Sequence, residues 1–194
     1  MSKNIGIIPS VIERRNTISL TIDNNLIVFL KKCFPKSNIQ ILGDIKKKNK
    51  LNLIVSSGGN TIVSLKKNIV NQFRGKLDEF YFKQALKKNI PFLGICHGAQ
   101  YIADYYKSKI IRKKNHTNKN HLIKLDEKKR IIVNSYHDFS IIELGKDLKK
   151  IAYTNDLSIE AFKHNKKKIL GIMWHPERYK KIKKFDLKFI KKYL

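Results

Sequence analysis

The stretch PFLGICHGAQYIADYY, residues 91–106, predicts a strand, a tight turn and a helix in that order. Cys96 stands at the turn, between Gly94 and Gly98. A nucleophile elbow needs this arrangement, because it holds a side chain on a strained strand-to-helix turn that flanking glycines relieve. The N–H groups at the start of the helix favour a thiolate. Taken alone, the stretch leaves two interpretations open: Cys96 is a nucleophile, or it is a small residue buried at a strand end.

The first half of the chain alternates strands and helices, which predicts an α/β fold with a mostly parallel central sheet flanked by helices. The second half is richer in short strands, which we expect to form hairpins at one edge. Function in such sheets sits beyond the carboxyl ends of the strands, here after Ser57, at Cys96 and at His175. The predicted strands cover residues 4–10, 38–42, 51–57 and 90–96, and the predicted helices cover 17–33, 76–89, 97–106 and 182–193.

Length and composition suit one domain, residues 1–194, with a core of its own. The sequence contains no apolar run of about 18 residues, so we expect no membrane span. Its first ten residues lack the apolar core of a signal peptide, which favours a cytoplasmic location. Two cysteines, Cys33 and Cys96, make no disulfide framework and are expected to be free thiols.

The formal net charge of +27 has two interpretations. It can mark a surface for nucleic acid or for anionic substrates. It can also reflect the abundance of Lys, Asn and Ile that is typical of AT-rich genomes. The lysines are scattered and no nucleic-acid-binding module is recognisable, so we expect no specific nucleic-acid partner. Attraction of an anionic substrate remains open.

A reactive thiol needs a base, and the segment GIMWHPER, residues 171–178, offers one. His175 follows an apolar strand, and Pro176 fixes the turn after it. Glu177, two residues further on, can accept a hydrogen bond from the imidazole and hold its orientation. By itself this segment is equally compatible with a surface histidine before a proline.

GICHGAQ followed much later by GIMWHPE resembles the class I glutamine amidotransferase family, and more closely its γ-glutamyl hydrolase-like branch, peptidase family C26. The resemblance covers most of the chain and implies a flavodoxin-like sheet. It assigns the nucleophile to Cys96, the base to His175 and the orienting carboxylate to Glu177. No metal or organic cofactor is implied.

The same resemblance assigns an oxyanion hole and part of a substrate pocket. SSGGN, residues 56–60, stands where the family has its Gly-Gly loop, so the backbone N–H groups of Gly59 and His97 are expected to hold the oxyanion. Gly58 and Asn60 would line the substrate, although the family usually has Asp or Pro at the position of Asn60.

Further substrate contacts are expected from three segments. Arg74 aligns with the branch's helix arginine and could pair with the glutamyl α-carboxylate, although Gly75 replaces the family's Asp; Asp78 aligns with its Glu. VNSYHDFSI, residues 133–141, matches a segment of the branch, with Phe139 where many relatives have Gln. His116 and His121 look like a pair that edges the site, and their five-residue spacing argues against zinc. The expected substrate-lining residues here are Arg74, Gln100, Asn134, Ser135, Tyr136 and His137.

Within the branch, the chain looks most like the γ-glutamyl-CDP-amidate hydrolases of surface-polysaccharide phosphoramidate synthesis. That resemblance implies release of glutamate and cytidine diphosphoramidate, and ERRN, residues 13–16, offers Arg14 and Arg15 as phosphate contacts. The alternatives are a glutaminase subunit that supplies ammonia to a synthetase partner and a γ-glutamyl amine hydrolase. A non-catalytic binding module is opposed by the intact Cys96, His175 and Glu177.

Overall fold

The computed structural model describes residues 3–45, 50–114, 116–125 and 129–194. The strands are β1 Asn4–Ile8, β2 Ser10–Arg14, β3 Thr17–Thr21, β4 Asn38–Ile41, β5 Leu53–Ser56, β6 Phe92–Ile95, β7 Lys109–Arg112, β8 Thr117–Lys124, β9 Arg130–Tyr136, β10 Phe139–Glu143, β11 Leu148–Tyr153, β12 Ile159–His164 and β13 Ile169–Ile172. The helices are α1 Asn24–Cys33, α2 Ile69–Lys88, α3 His97–Tyr105 and α4 Lys184–Tyr193, and a short 3-10 turn spans Pro176–Arg178.

The centre of the main sheet is parallel, in the order β4-β1-β5-β6-β13. Parallel strands end at the same edge, so the segments after β1, β5, β6 and β13 meet there. These segments carry Ser10, the Gly58–Gly59 loop, Cys96 and His175. The predicted α/β class and its parallel centre are confirmed.

The second half of the chain extends this sheet with antiparallel strands, in the order β13-β12-β11-β8-β9, and β10 pairs with both β12 and β7. The expected hairpins at one edge are therefore present. The strands β7 and β10 were not anticipated, because Lys109–Arg112 and Phe139–Glu143 are short and their apolar residues are few.

Residues 17–21 form a strand, and the prediction of a helix over 17–33 was wrong for this part. Thr17–Thr21 pairs antiparallel with Ser10–Arg14, and Arg15 and Asn16 make the turn with φ of 47° and 61°. Positive φ at both central residues suits a two-residue hairpin, and β-branched residues favour the strands. The helix begins only at Asn24, after Asp23 caps it by accepting a hydrogen bond from Asn25 N.

The two faces of the sheet bury separate apolar clusters, because successive strand residues point to opposite faces. One face packs Ile5, Ile7, Val55 and Ile95 against α1 and α4. The other packs Ile54 and Phe92 against α2 and α3. Helices on both faces hold the strand ends, and hence the site, in a fixed relation. Among the described residues, no helix has the length and apolar character needed to cross a bilayer.

Candidate active site

Cys96 occupies a strained backbone position between β6 and α3, with φ of 49° and ψ of −97°. Its N–H donates to Ile172 O at 2.8 Å, which ties the turn to β13. A Cβ added to Gly94 would lie 2.5 Å from the backbone of Gly98, and one added to Gly98 would lie 2.4 Å from Ser56 O. Both glycines are therefore required by close backbone approach. This geometry is that of a nucleophile elbow.

His175 lies beside the thiol and is oriented by Glu177. The Glu177 carboxylate Oε1 is 2.6 Å from His175 Nδ1, which leaves Nε2 for the side facing Cys96. Burial lowers the pKa of His175, whereas the Cys96 thiolate and the Glu177 carboxylate raise it by more, to about 9. Burial raises the pKa of the Cys96 thiol, but the charge and hydrogen bond of His175 lower it by more. The pair therefore favours thiolate and imidazolium.

The Gly58–Gly59 loop passes close to both the base and the first strand. A Cβ on Gly58 would lie 2.4 Å from His175 Cε1. Gly59 has φ of 130°, and a Cβ there would lie 2.6 Å from Ser10 Cβ. Only glycine avoids strain and collision at such a position, so the loop can bring its N–H groups next to the elbow. The placement is compatible with the predicted oxyanion donors Gly59 and His97.

A buried polar network joins this loop to the elbow. The His97 ring has Nε2 2.8 Å from Asp78 Oδ2 and Nδ1 2.7 Å from Asn60 O. Both partners are acceptors, and they are satisfied together when both ring nitrogens carry a proton. Burial raises the pKa of Asp78, but Arg74 and His97 lower it by more, to about 2. The ring thus connects the residue that follows Gly59 to the residue that follows Cys96.

The comparisons with known proteins agree with this geometry. The model of the family described as glutamine amidotransferase class-I matches residues 32–192. The chain belongs to the class-I glutamine amidotransferase family. It is 39% identical to a γ-glutamyl-CDP-amidate hydrolase of Campylobacter jejuni over 131 residues, which is 68% of this chain and 64% of that protein.

Two other amidotransferase-family relatives are more distant. A subunit of the glutamine-hydrolyzing GMP synthase of Methanococcus aeolicus is 33% identical over 101 residues, 48% of this chain and 54% of that protein. The crystal structure of a glutamine amidotransferase from Thermotoga maritima shares the fold with a TM-score of 0.62 at 20% identity, covering 91% of this chain and 76% of that chain. The matches span less than two thirds of the length of these curated relatives.

Arg74 does not lie where an amidotransferase substrate could reach it, so the predicted contact with the glutamyl α-carboxylate is wrong. Its side chain is 0% exposed. The guanidinium donates to Asp78 Oδ2 at 2.8 Å, to Pro9 O at 2.6 Å and to Ser57 O at 2.8 Å. These bonds use its donors to hold α2 against the ends of β1 and β5. Arg74 therefore supports the oxyanion loop from below.

Asn134 and Ser135 also support the site, in place of the predicted contacts with substrate. Asn134 Oδ1 accepts from His175 N, and its Nδ2 donates to His175 O, both at 2.8 Å. This pair of bonds fixes the backbone of the base. Ser135 is 0% exposed and its hydroxyl donates to His116 O. Asn60 is similar: its amide pairs with the N–H and the C=O of Val11, both at 2.8 Å.

The remaining predicted lining residues surround the thiol more loosely. Tyr136 lies edge-on to His175 with ring centroids 5.5 Å apart, and it is 38% exposed. Gln100 is buried and donates to Phe139 O at 3.0 Å. His137 is buried near Cys96, whose charge acts on it. Their contacts with substrate remain predictions.

Three functional candidates were missed because their importance depends on distant partners. Asp78 has only an alignment with a family Glu to mark it in the sequence, yet it joins Arg74 to His97. Arg178 follows Glu177 directly, lies over the Tyr136 ring at 4.9 Å and lowers the pKa of Cys96 by its charge. Glu160, in β12, lies next to His137. Of these, the position of Arg178 beside the HPE motif was a usable indication.

Proposed function

We propose that this chain hydrolyses a γ-glutamyl amide through a glutamyl thioester on Cys96. The observation that carries the proposal is the strained Cys96 elbow beside a histidine that Glu177 orients at 2.6 Å. A nucleophile, a base and an orienting carboxylate in this order perform acyl transfer on many unrelated folds. Membership of the amidotransferase family supports glutamyl as the acyl group.

In the first half of the reaction, the Cys96 thiolate attacks the γ-carbonyl carbon of the substrate. The N–H groups of Gly59 and His97 are placed to receive the developing oxyanion, and each such donor contributes about 2.7–4 kcal/mol. The imidazolium of His175 then gives its proton to the departing nitrogen as the C–N bond breaks. The products are the free amide nitrogen compound and a thioester.

In the second half, a water molecule replaces the leaving group. His175, now neutral, takes a proton from that water as it attacks the thioester carbonyl. The C–S bond breaks, glutamate leaves and the thiolate is restored beside the imidazolium. Glu177 keeps Nδ1 of the ring protonated throughout, so that the other nitrogen carries the moving proton.

The substrate we propose is γ-glutamyl-CDP-amidate, with cytidine diphosphoramidate as the second product. The similarity to the Campylobacter jejuni hydrolase supports this choice. Arg178 stands at the edge of the site, 37% exposed, and the exposed Arg14 and Arg15 end the β2–β3 hairpin that begins at Ser10. Cations there suit a pyrophosphate. The proposal extends to the pathway that the resemblance implies, phosphoramidate modification of surface polysaccharide.

The test offers the purified chain γ-glutamyl-CDP-amidate or glutamine and follows the release of glutamate. We expect the conjugate to be hydrolysed without any partner and glutamine to be hydrolysed much more slowly. Cys96→Ala should abolish both reactions. If Cys96→Ala releases glutamate as fast as the unchanged chain, the thioester mechanism is wrong.

A glutaminase subunit is the second candidate, because relatives named as GMP synthase subunits match the chain too. Such a protein would supply ammonia to a synthetase that docks on it. The same assay separates the two: glutamine turnover that appears only when a synthetase is added, with no hydrolysis of the CDP conjugate, would reject the stand-alone hydrolase. A γ-glutamyl amine hydrolase would instead favour γ-glutamyl alkylamines over the CDP conjugate.

A further inference from the structure

One group of side chains holds more than half of the buried polar atoms that lack a hydrogen-bond partner within the described ranges. They are His116 Nδ1, His121 Nε2, both ring nitrogens of His137 and both carboxylate oxygens of Glu160. Glu160 is 0% exposed, His116 2% and His137 3%. A buried carboxylate without such partners is costly unless a charge neutralises it. The group is therefore built around something positive.

The ligand atoms of three of these residues converge. His116 Nδ1 is 3.9 Å from Glu160 Oε1, and His137 Nε2 is 3.5 Å from the same oxygen. The ligand atoms of His116, His137 and Glu160 all lie within 4.8 Å of one another. In a tetrahedral zinc site with bonds of about 2.0–2.1 Å, ligand atoms are about 3.3 Å apart. Small side-chain rotations would close the group to that spacing.

We propose that His116, His137 and Glu160 form a binding site for one Zn²⁺ ion. Two imidazole nitrogens and one carboxylate oxygen make a donor set that zinc favours, whereas Mg²⁺ and Ca²⁺ prefer oxygen ligands throughout. His121 stacks against His116 with ring centroids 4.3 Å apart, so its buried Nε2 borders the same space. The sequence disfavoured zinc because His116 and His121 alone lack a carboxylate, which the fold supplies from Glu160.

A supporting residue behind the group strengthens this assignment. Asp156 Oδ2 lies 2.8 Å from His116 Nε2, on the opposite side of the ring from Glu160. The carboxylate keeps that nitrogen protonated and directs the Nδ1 lone pair towards Glu160, as outer carboxylates do for metal-bound histidines. Asp156 is itself fixed by Ser158 N at 3.1 Å and Lys113 Nζ at 3.0 Å. The His116 ring is thus pre-oriented for a ligand bond.

The ion would join three segments of the antiparallel extension. His116 precedes β8, His137 lies between β9 and β10, and Glu160 belongs to β12. The site uses none of Cys96, His175 and Glu177, so it can exist whatever reaction the chain performs. A proton provides the competing explanation: an imidazolium at His137 would neutralise Glu160 without any metal.

The experiment measures Zn²⁺ binding to the chelator-stripped full chain by titration against a chromophoric competitor at neutral pH. The Cys96→Ala variant removes the thiolate as a rival ligand. We expect one Zn²⁺ per chain in both proteins. Asp156→Asn should weaken binding by about 10–100-fold. Glu160→Gln should weaken it more, and His164→Gln, a histidine outside the group, should leave it unchanged.

A second measurement keeps the test decisive if a variant folds poorly. Co²⁺ added to the stripped unchanged chain should give the visible bands of a four-coordinate nitrogen and oxygen shell, without thiolate charge transfer. Circular dichroism checks the fold of each variant, and Zn²⁺ should raise the melting temperature of the parent but not of Glu160→Gln. The proposal fails if the folded chain binds no Zn²⁺. It fails equally if Cys96→Ala removes the site while Glu160→Gln retains it.

Discussion

At the scale of single residues, the decisive pair is Cys96 and His175. The thiolate and the imidazolium stabilise each other, so the active form of the pair persists over a range of pH. The pKa of His175 is raised to about 9, which means that the ring keeps its proton until the pH rises through that value. Above it, the proton needed by the leaving nitrogen is lost.

We therefore predict that kcat/KM, measured with a chelator present, falls on the alkaline side with a midpoint near pH 9. Glu177→Gln should move this limb to lower pH, because the carboxylate is one of the groups that raise the pKa of His175. Lys180→Gln, an exposed change nearby, serves as the control and should leave the profile in place. An alkaline limb that stays put in Glu177→Gln would contradict the assigned role.

At the scale of secondary-structure elements, helix α2 holds the oxyanion loop in register with the elbow. Asp78 accepts from Arg74 and pairs with His97, whose other ring nitrogen meets Asn60 O. The two expected oxyanion donors belong to residues next to or within this network. An error of about 1 Å in such positions can cost roughly 10²-fold in rate.

Asp78→Asn tests this coupling. We expect kcat to fall roughly 10²-fold with little change in KM, while iodoacetamide still alkylates Cys96 at the parent rate. Because Arg74 is left as a buried charge without its carboxylate, unfolding free energy should fall by about 3–5 kcal/mol. Glu79→Gln is the matched control on the same helix, since its pair with Lys83 is exposed and contributes little. Equal effects of the two changes on kcat would exclude the positioning role.

The contact between α3 and β5 depends on one glycine. An added Cβ at Gly98 would lie 2.4 Å from Ser56 O, a backbone atom that cannot move without disturbing β5. Gly98→Ala should therefore lower the unfolding free energy by about 1–3 kcal/mol in denaturant titrations. Gly75→Ala in α2 is the comparison. Its Cβ would meet only the end of Val63 at 2.8 Å, and alanine favours a helix interior by up to about 1 kcal/mol.

If Gly98→Ala were as stable as Gly75→Ala, the close packing of the elbow helix on β5 would be refuted. The pair also bears on the motif helix, where Gly75 stands in place of the family's Asp. In the structure Gly75 faces Val63 and not the thiol, so its departure from the family pattern leaves the site geometry intact.

The sequence was sufficient for features that depend on local order along the chain. Cys96 between glycines, and Glu177 two residues after His175, lie within single motifs whose geometry follows from a turn. Arg74 and Asn134 were misassigned because their partners, Pro9 O and His175 N, are 65 and 41 residues away. A side chain with several donors has many suitable partners, and tertiary packing selects among them. The hairpin at Thr17–Thr21 was missed for a related reason: its pairing partner decides its conformation.

At the scale of the whole molecule, the net charge of +27 must be either an aid to substrate capture or a consequence of composition. The electrostatic field of exposed cations extends over the Debye length, which is about 30 Å at roughly 10 mM salt and about 8 Å at roughly 150 mM. A pyrophosphate-bearing substrate is attracted over that range. Glutamine, a zwitterion without net charge, is not.

We predict that raising the salt over this range increases KM for γ-glutamyl-CDP-amidate several-fold and leaves its kcat nearly unchanged, because salt screens capture and not the buried chemistry. KM for glutamine, measured in the same buffers, should stay constant and so controls for effects of salt on the fold. Arg178→Gln should remove part of the salt dependence, since Arg178 is the exposed cation at the edge of the site. If both substrates respond alike, the charge reflects composition, and specificity for the CDP group must come from short-range contacts.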